Sequence, residues 1–236
     1  MSNKTYKMTI SGMPINVVRK EIKNINIRVY PPNGHVRVAV PLSISDEAAR
    51  LAVNKKLNWI KRQKAKIEAQ PHQDPLRMVS GETHYFLAYP YRLRVIEHDR
   101  PNEVVLRDES LDLYVRPNTS TERRERLLQE WHREQLKLLI PPIIEKWEPI
   151  LDVEILEWRI KRMRTRWGSC NIQAQRIWLN LELAKKSEQC LEYVIVHEMM
   201  HLLERYHNRR FKGLMDKYLP KWRLYRDELN AAQSVS

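Results

Sequence analysis

Two histidines and a glutamate occur together at residues 197 to 201, which read His-Glu-Met-Met-His. Residues four apart on a helix differ by about 40° in direction and about 6 Å in height, so His197 and His201 can bind one metal ion. Glu198 can reach water at that ion without being a ligand, which suits a general base. The spacing therefore predicts a catalytic zinc site used for hydrolysis. The alternative is two core histidines beside a surface glutamate, an arrangement that is costly without a partner such as a metal.

A catalytic zinc usually keeps three protein ligands, and His207 is the candidate for the third. A continuous helix would carry His207 about 240° round from His201, off the metal face, so the chain must turn between them. Residues 202 to 206 contain no glycine, so we expect the turn to use an unusual conformation or a break near Asn208. The alternative third ligands are downstream carboxylates: Glu204, Asp216, Asp227 and Glu228.

Arginines and a cysteine precede the histidine motif. Arg162, Arg164 and Arg166 alternate along a predicted strand, so one face would carry all three as a clamp for phosphate or carboxylate, or as an ordinary solvated face. Cys170 could be a fourth ligand or a nucleophile. We favour a buried structural thiol, because no helix N-terminus or base obviously activates it.

The elements around the motif are a short sheet and helices. Residues 181 to 206 have helical periodicity, as do two amphipathic segments at 211 to 218 and 222 to 229. Residues 154 to 162 and 177 to 180 read as strands, which we predict to form a hairpin. Before them, a helical pattern begins at Thr121 and is interrupted at Pro141-Pro142.

The first 118 residues are predicted to be rich in β-strands. Residues 25 to 30 and 35 to 40 flank an Asn-Gly turn and predict a hairpin. Ser43 and Ser45 offer caps for a helix of about twenty residues, which the segment 70 to 75 breaks. Strand-like runs at 83–88, 91–97, 104–107 and 111–115 predict a small antiparallel sheet. The turn cluster at 117 to 120 is the predicted lobe boundary, and we find no internal repeat.

The composition indicates a soluble, basic protein. The chain has 236 residues with a net charge of +13, which favours polyanionic partners such as nucleic acid, nucleotides, phosphorylated or acidic substrates. The alternative is a basic solvated surface that keeps the protein soluble. Only two cysteines occur, too few for a disulfide framework. The N-terminus lacks the apolar segment of a secretory signal and no run is long enough to span a bilayer, so we expect a cytoplasmic protein that does not insert into membranes.

Several motifs in one order resemble the YgjP-like metallopeptidase family, which is related to the SprT-like zincins. They are Arg164-x-Arg166-Trp167-Gly168-Ser169-Cys170, Leu179-Asn180, Tyr193-Val194-x-x-His197-Glu198-x-x-His201, His207, Phe211 and Pro220-x-Trp222. The resemblance is strongest over residues 150 to 230. It implies ligands at His197, His201 and His207, with Glu198 as base and residues 166 to 170 near the active-site helix. Met200 departs from the small residue usual before the second histidine.

The fold class implied is α+β: a zincin-like region at 119–236, with a short antiparallel sheet and the helix that carries His197, Glu198 and His201. A β-rich N-terminal lobe with one long helix, at 1–118, would precede it. Zinc is the expected cofactor, although imidazole ligands also suit nickel. The sequence does not predict an oligomeric state.

The leading functional hypothesis is a zinc-dependent metallopeptidase that binds an extended peptide at the sheet edge. An alternative is a metal-dependent pyrophosphatase that cleaves a nucleoside triphosphate to the monophosphate; the resemblance allows it, because YgjP-like members have been linked with uridine-nucleotide (UTP) pyrophosphatase activity. A further alternative is a protease acting on proteins bound to nucleic acid, as SprT-like relatives do, although no helix-turn-helix or zinc finger supports it. A scaffold that has lost activity is disfavoured by the intact His197, Glu198 and His201.

Overall fold

The computed structural model describes residues 5–30, 34–68 and 76–233. These residues divide into two compact units, one of residues 5–30 and 34–68 and the other of residues 76–233. The described part is mixed α and β, with three small sheets and six α-helices. None of its helices combines the length and the apolar character that crossing a lipid bilayer requires.

The first unit is a four-stranded sheet followed by two helices. Its strands are β1 (Thr5–Ile10), β2 (Met13–Lys20), β3 (Asn26–Tyr30) and β4 (His35–Pro41), in the order β1-β2-β4-β3. The predicted hairpin is confirmed as the antiparallel pair β3–β4. Ser45 caps α1 (Asp46–Lys55) by accepting a hydrogen bond from the amide of Ala48. The predicted helix of about twenty residues breaks at Lys56, after which α2 (Leu57–Glu68) begins. The predicted break at 70 to 75 lies outside the described residues.

The second unit begins with a sheet that repeats the topology of the first. Its strands are β5 (Thr83–Phe86), β6 (Tyr89–Glu97), β7 (Glu103–Leu106) and β8 (Ser110–Val115), in the order β5-β6-β8-β7. The prediction of an antiparallel sheet is wrong in one pair, because β6 and β8 run parallel, as β2 and β4 do. In both sheets a two-residue turn with positive φ joins the first two strands, at Ser11–Gly12 and at Leu87–Ala88. The two sheets thus share one strand order and one pattern of strand directions.

A single long helix, α3 (Thr121–Leu151), follows this sheet. The predicted interruption at Pro141-Pro142 is wrong, because the helix continues through both prolines. Each proline removes one helical hydrogen bond, but apolar residues on both sides of the pair are buried along one face: Leu136, Ile140, Ile144, Trp147 and Leu151. Leu127 and Leu128 pack in one cluster with β6 and β8. The second sheet therefore lies in the same unit as α3, and the lobe boundary predicted near Asn118 falls within that unit.

The third sheet contains β9 (Glu157–Lys161), β10 (Gly168–Asn171) and β11 (Arg176–Asn180), in the order β10-β11-β9. The predicted hairpin between residues 154–162 and 177–180 is wrong, because β9 and β11 pair in parallel. The hairpin is instead formed by β10 and β11. The intervening strand β10 reverses the chain once, so β11 returns in the direction of β9. The predicted short antiparallel sheet is therefore mixed, with β10 at its edge.

Helices complete the second unit. A 3-10 helix (Leu181–Lys185) leads into α4 (Glu188–Leu203), followed by α5 (Arg209–Tyr218) and α6 (Trp222–Gln233). The core of this part is one cluster drawn from α3, the third sheet and α4 to α6. Helix α4 supplies eight of its buried apolar residues: Cys190, Leu191, Tyr193, Val194, Ile195, Val196, Met199 and Met200. This burial holds α4 against β10 and fixes which of its side chains face the cleft described below.

Candidate metal centre

Helix α4 positions the first two histidines of the centre. The side chain of Ser187 caps the helix by accepting a hydrogen bond from the amide of Cys190. The helix then runs unbroken to Leu203, so His197 and His201 lie one turn apart with ring centroids separated by 5.1 Å. The helical placement predicted from the sequence is confirmed.

The chain turns between His201 and His207 without a left-handed residue. Glu204 ends the helix in an extended conformation, with φ −147° and ψ 113°, while its amide donates to the carbonyl of Met200. Asn208 then caps α5 by accepting a hydrogen bond from the amide of Phe211. The sequence allowed either an unusual backbone conformation in this turn or a break near Asn208. The structure has the break, because an extended residue and a new helix cap together reverse the chain.

Three imidazoles converge at the end of this turn. One nitrogen from each of His197, His201 and His207 lies within 4.8 Å of the other two. The Nε2 atoms of His197 and His207 are 2.8 Å apart. Phe211 is buried beneath all three rings, with centroid distances of 4.9, 4.9 and 4.8 Å. The benzene ring thus forms an apolar base that sets the spacing of the imidazoles.

The donor set fits a divalent transition-metal ion. Burial, with the neighbouring imidazoles adding to it, lowers the pKa of His197 to about 3, and burial also lowers the pKa of His201. Neutral imidazole is the form that ligates metals. His201 Nδ1 lies 3.2 Å from the carbonyl of Glu204, a contact that leaves Nε2 available as a ligand. The Nε2 atoms of His197 and His207 face each other at 2.8 Å, and a shared cation is a suitable partner for two ring nitrogens placed so close together.

Glu198 lies beside the imidazoles in a buried position. It is 5% exposed, and burial raises the pKa of its carboxyl group to about 8, while the charge of Arg166 acts in the opposite direction. Its side chain packs directly against the backbone of β10. A methyl group added at Gly168 would lie 2.5 Å from Oε1 of Glu198, so only glycine leaves room for the carboxylate there.

Asn180 holds the loop that leads into β10. Its buried side chain donates to the carbonyls of Met163 and Arg166, at 3.0 and 2.8 Å, and accepts from the amides of Met163 and Glu182. These bonds satisfy the amide on every side and fix residues 163 to 166 against the sheet. Sequence analysis quoted Asn180 only as part of a motif, because these partners lie up to seventeen residues away.

A cleft of about 700 Å³ opens over the imidazoles, and β10 forms one of its walls. Of the three arginines predicted to share a strand face, only Arg166 lines it. The strand ends at Lys161, so strand alternation does not extend to these positions. Arg162 pairs instead with Glu125 and Glu182, at 3.3 and 3.6 Å, and Arg164 is an exposed loop residue.

Sequence reasoning missed two arginines of the cleft. Arg205 lies in the turn after α4 and Arg226 on α6, and both line the cleft with Arg166. Arg226 reaches the site only through the packing of α6, and no local pattern distinguishes Arg205 from the other arginines that follow α4. Cys170 lines the cleft from β10, where burial raises the pKa of its thiol to about 11. A thiol of that pKa is protonated at neutral pH, but Cys170 is only partly buried, and its predicted structural role stays a prediction.

Comparison with known proteins places this geometry in a family. The model of the YgjP-like metallopeptidase domain matches residues 23–232, which include the three histidines, Glu198 and β10. No curated protein matches the chain. The match covers most of both units and agrees with the motifs recognised in the sequence. The chain belongs to the YgjP-like metallopeptidase family.

Proposed function

We propose that this protein is a zinc-dependent peptidase in which His197, His201 and His207 hold the metal and Glu198 is the general base. The observation that carries the proposal is the position of the Glu198 carboxylate, which lines the same cleft as three converging imidazoles and packs against the backbone of an edge strand. A bound zinc ion supplies a Lewis acid that makes water a better nucleophile and polarises a carbonyl group.

The chain's own residues supply the proton transfers. The carboxylate of Glu198 accepts a proton from the attacking water and then donates it to the nitrogen of the departing amine. Burial raises the pKa of this carboxyl group, which favours retention of the accepted proton until the amine departs. The apolar wall of Phe211 and the buried face of α4 restrict the access of other water molecules to this proton.

The free edge of β10 is suited to an extended peptide. The amide of Asn180 donates to the carbonyl of Trp167, so alternation along the antiparallel pair turns the backbone groups of Ser169 towards β11. The N–H and C=O groups of Gly168 and Cys170 therefore face away from β11, along the cleft. A substrate that pairs with them by strand addition would bring a peptide bond beside Glu198.

The nucleotide alternative has less support. It was supported by the net charge, by the family resemblance and by a clamp of Arg162, Arg164 and Arg166, and two of these arginines lie outside the cleft lining. The basic residues that remain suit a carboxylate of a peptide as well as a phosphate. Nucleoside triphosphates are therefore included as substrates in the test of the proposal.

The test is to incubate purified, zinc-loaded protein with casein and, separately, with nucleoside triphosphates, with and without a chelator. We expect chelator-sensitive cleavage of casein that Glu198→Gln lowers by at least about 100-fold while the zinc content is retained. Cleavage that survives Glu198→Gln would remove Glu198 from the mechanism. Release of pyrophosphate without proteolysis would replace the peptidase proposal by the nucleotide alternative.

A further inference from the structure

The outer face of the third sheet carries a cluster that the metal centre does not use. We call it the Trp178 platform and define it by Trp178 and three surrounding cations, Arg159, Lys161 and Arg176. Ile177 and Leu179, on either side of Trp178, are fully buried. Because side chains alternate along a strand, the indole of Trp178 faces away from α4 and the core.

The three cations surround the indole. Lys161 Nζ lies 4.2 Å from the ring centroid, and the guanidinium carbons of Arg159 and Arg176 lie at 5.4 and 6.0 Å. The register explains this, since Arg159 is opposite Trp178 and Lys161 is opposite Asn180 on the parallel neighbour. Glu157 is paired with both arginines. The platform thus combines three positive charges with one negative charge and a half-buried aromatic ring.

We propose that the Trp178 platform binds single-stranded nucleic acid. Proteins that hold single strands use a positively charged track for the phosphates and an aromatic side chain on which a base stacks. Both components occur here on one rigid sheet, and the net charge of +13 favours approach of a polyanion. An acidic polypeptide would form ion pairs with the cations, but its carboxylates would make no stacking contact with the face of the indole ring. The combination therefore favours a nucleic acid over an acidic protein.

The platform is continuous with the mouth of the catalytic cleft. Ser169 on β10 lies opposite Trp178 in the register, and Ser169 also lines the cleft. A row of positions therefore crosses the sheet from Arg159 through Trp178 to Ser169. A strand bound along this row would end beside the cleft without entering it. The inference stands whether or not the peptidase proposal holds, because no residue of the platform belongs to the metal centre.

The test measures the anisotropy of a labelled oligothymidylate of about twelve nucleotides, long enough for one such site, over a range of salt concentrations. Trp178→Leu should weaken binding about tenfold, whereas Trp178→Phe, which keeps an aromatic face, should retain most of the affinity. The slope of log K against log salt is negative, and Lys161→Ala should reduce its magnitude by about 0.7, the value for one phosphate contact on a single strand.

Matched controls are available in the same chain. Trp59→Leu removes another partly exposed tryptophan, on α2, and Lys212→Ala removes another exposed lysine, on α5; each should leave the oligonucleotide affinity and its salt slope unchanged. Equal losses in Trp178→Leu and Trp59→Leu would overturn the proposal. Competition by polyglutamate as strong as that by oligothymidylate would also overturn it and indicate an acidic protein partner.

If Trp178→Leu does not fold, as judged by its melting temperature, the exposed cations decide the question. Arg159→Gln and Lys161→Gln change only the charged ends of exposed side chains. Their double variant should bind the oligonucleotide at least about tenfold more weakly at low salt. Undiminished binding by that double variant would contradict the proposal.

Discussion

Gly168 limits where the carboxylate of Glu198, the proposed general base, can lie. A β-carbon there would lie 2.5 Å from Oε1 and 2.7 Å from Cγ of Glu198. Gly168→Ala must therefore displace the carboxylate, since the backbone of an edge strand accepts alanine. Because a displacement of about 1 Å can cost 100-fold in rate, we expect kcat on a peptide substrate to fall by about that factor. The zinc content should stay unchanged, which elemental analysis checks.

Gly213→Ala is the matched control for this variant. A β-carbon at Gly213, on α5, meets no atom within 4 Å. Alanine in a helix interior stabilises by about 0.5–1 kcal/mol relative to glycine, so the control should melt at a slightly higher temperature with full activity. Full activity in Gly168→Ala would show that the carboxylate of Glu198 does not need this position.

Burial of His132 predicts that the free energy of unfolding of the second unit decreases in acid. It is buried on α3 beside the carbonyl of Tyr85, and burial, assisted by the charge of Lys185, lowers its pKa to about 4. In the unfolded chain the pKa of this histidine is near 6.5. Between about pH 6.5 and pH 4 it therefore binds a proton in the unfolded chain but not in the folded chain. The contribution of neutral His132 is therefore present above pH 6.5. It is lost as the pH falls through that window, by up to about 3 kcal/mol.

The measurement is denaturant unfolding of the wild type and of His132→Gln at pH 7.5 and pH 4.5. Glutamine can still donate to the carbonyl of Tyr85 but does not titrate, so its loss of stability on acidification should be smaller. His84, also buried with a lowered pKa, remains in both proteins and cancels in the comparison. Identical pH dependences for the two chains would rule out His132 as a source of the acid sensitivity.

The residue-level predictions succeeded where the signal is local. The four-residue spacing of His197 and His201 specifies one helix face, and the cap at Ser45 and the break near Asn208 follow from the preferences of single residues. The contact of Gly168 with Glu198 joins residues thirty positions apart in sequence, and no local pattern carries it. The same reason hid Arg205 and Arg226.

Among the elements, strand β10 has the most direct consequence for function. The pairing with β11 leaves the backbone N–H of Cys170 on the free edge of this strand. Cys170→Pro removes that donor at an edge position, where proline is tolerated. If substrates bind by strand addition, this variant should raise the KM for peptides several-fold, because one backbone hydrogen bond is lost at a cost of about 1 kcal/mol.

Cys170→Ala separates the backbone effect from that of the side chain. It removes the thiol and keeps the N–H, so it should leave the KM close to that of the wild type. Steady-state kinetics on one peptide substrate compares the two variants directly. An equal rise of the KM in both would assign the effect to the thiol and contradict strand addition at this edge.

The sequence did not reveal the direction in which β9 and β11 pair, or that α3 is one continuous helix. The residues of β9 and β11 have strand character in either orientation, and only the inserted strand β10 makes the pair parallel. Helix α3 continues through Pro141 and Pro142 because burial on both sides outweighs two missing hydrogen bonds. Both outcomes depend on tertiary packing, which propensity does not contain.

At the scale of the whole molecule, the residues of the candidate site all belong to one unit. The cluster that packs β1 to β4 with α1 and α2 draws only on residues 5–68, whereas two other clusters draw only on residues 76–233. A polypeptide of residues 76–233 should therefore fold on its own and take up zinc. Cooperative unfolding followed by circular dichroism, with a zinc titration, checks this. A polypeptide that stays unfolded would show that the second unit depends on the first.

The central claim is that three imidazoles bind one metal ion, and X-ray absorption at the zinc edge, on protein stripped with a chelator and reconstituted, tests it most directly. We predict one zinc ion per chain with three imidazole nitrogens in its coordination shell, reduced to two in His207→Ala. Absence of zinc uptake, or a shell that His207→Ala leaves unchanged, would contradict the account.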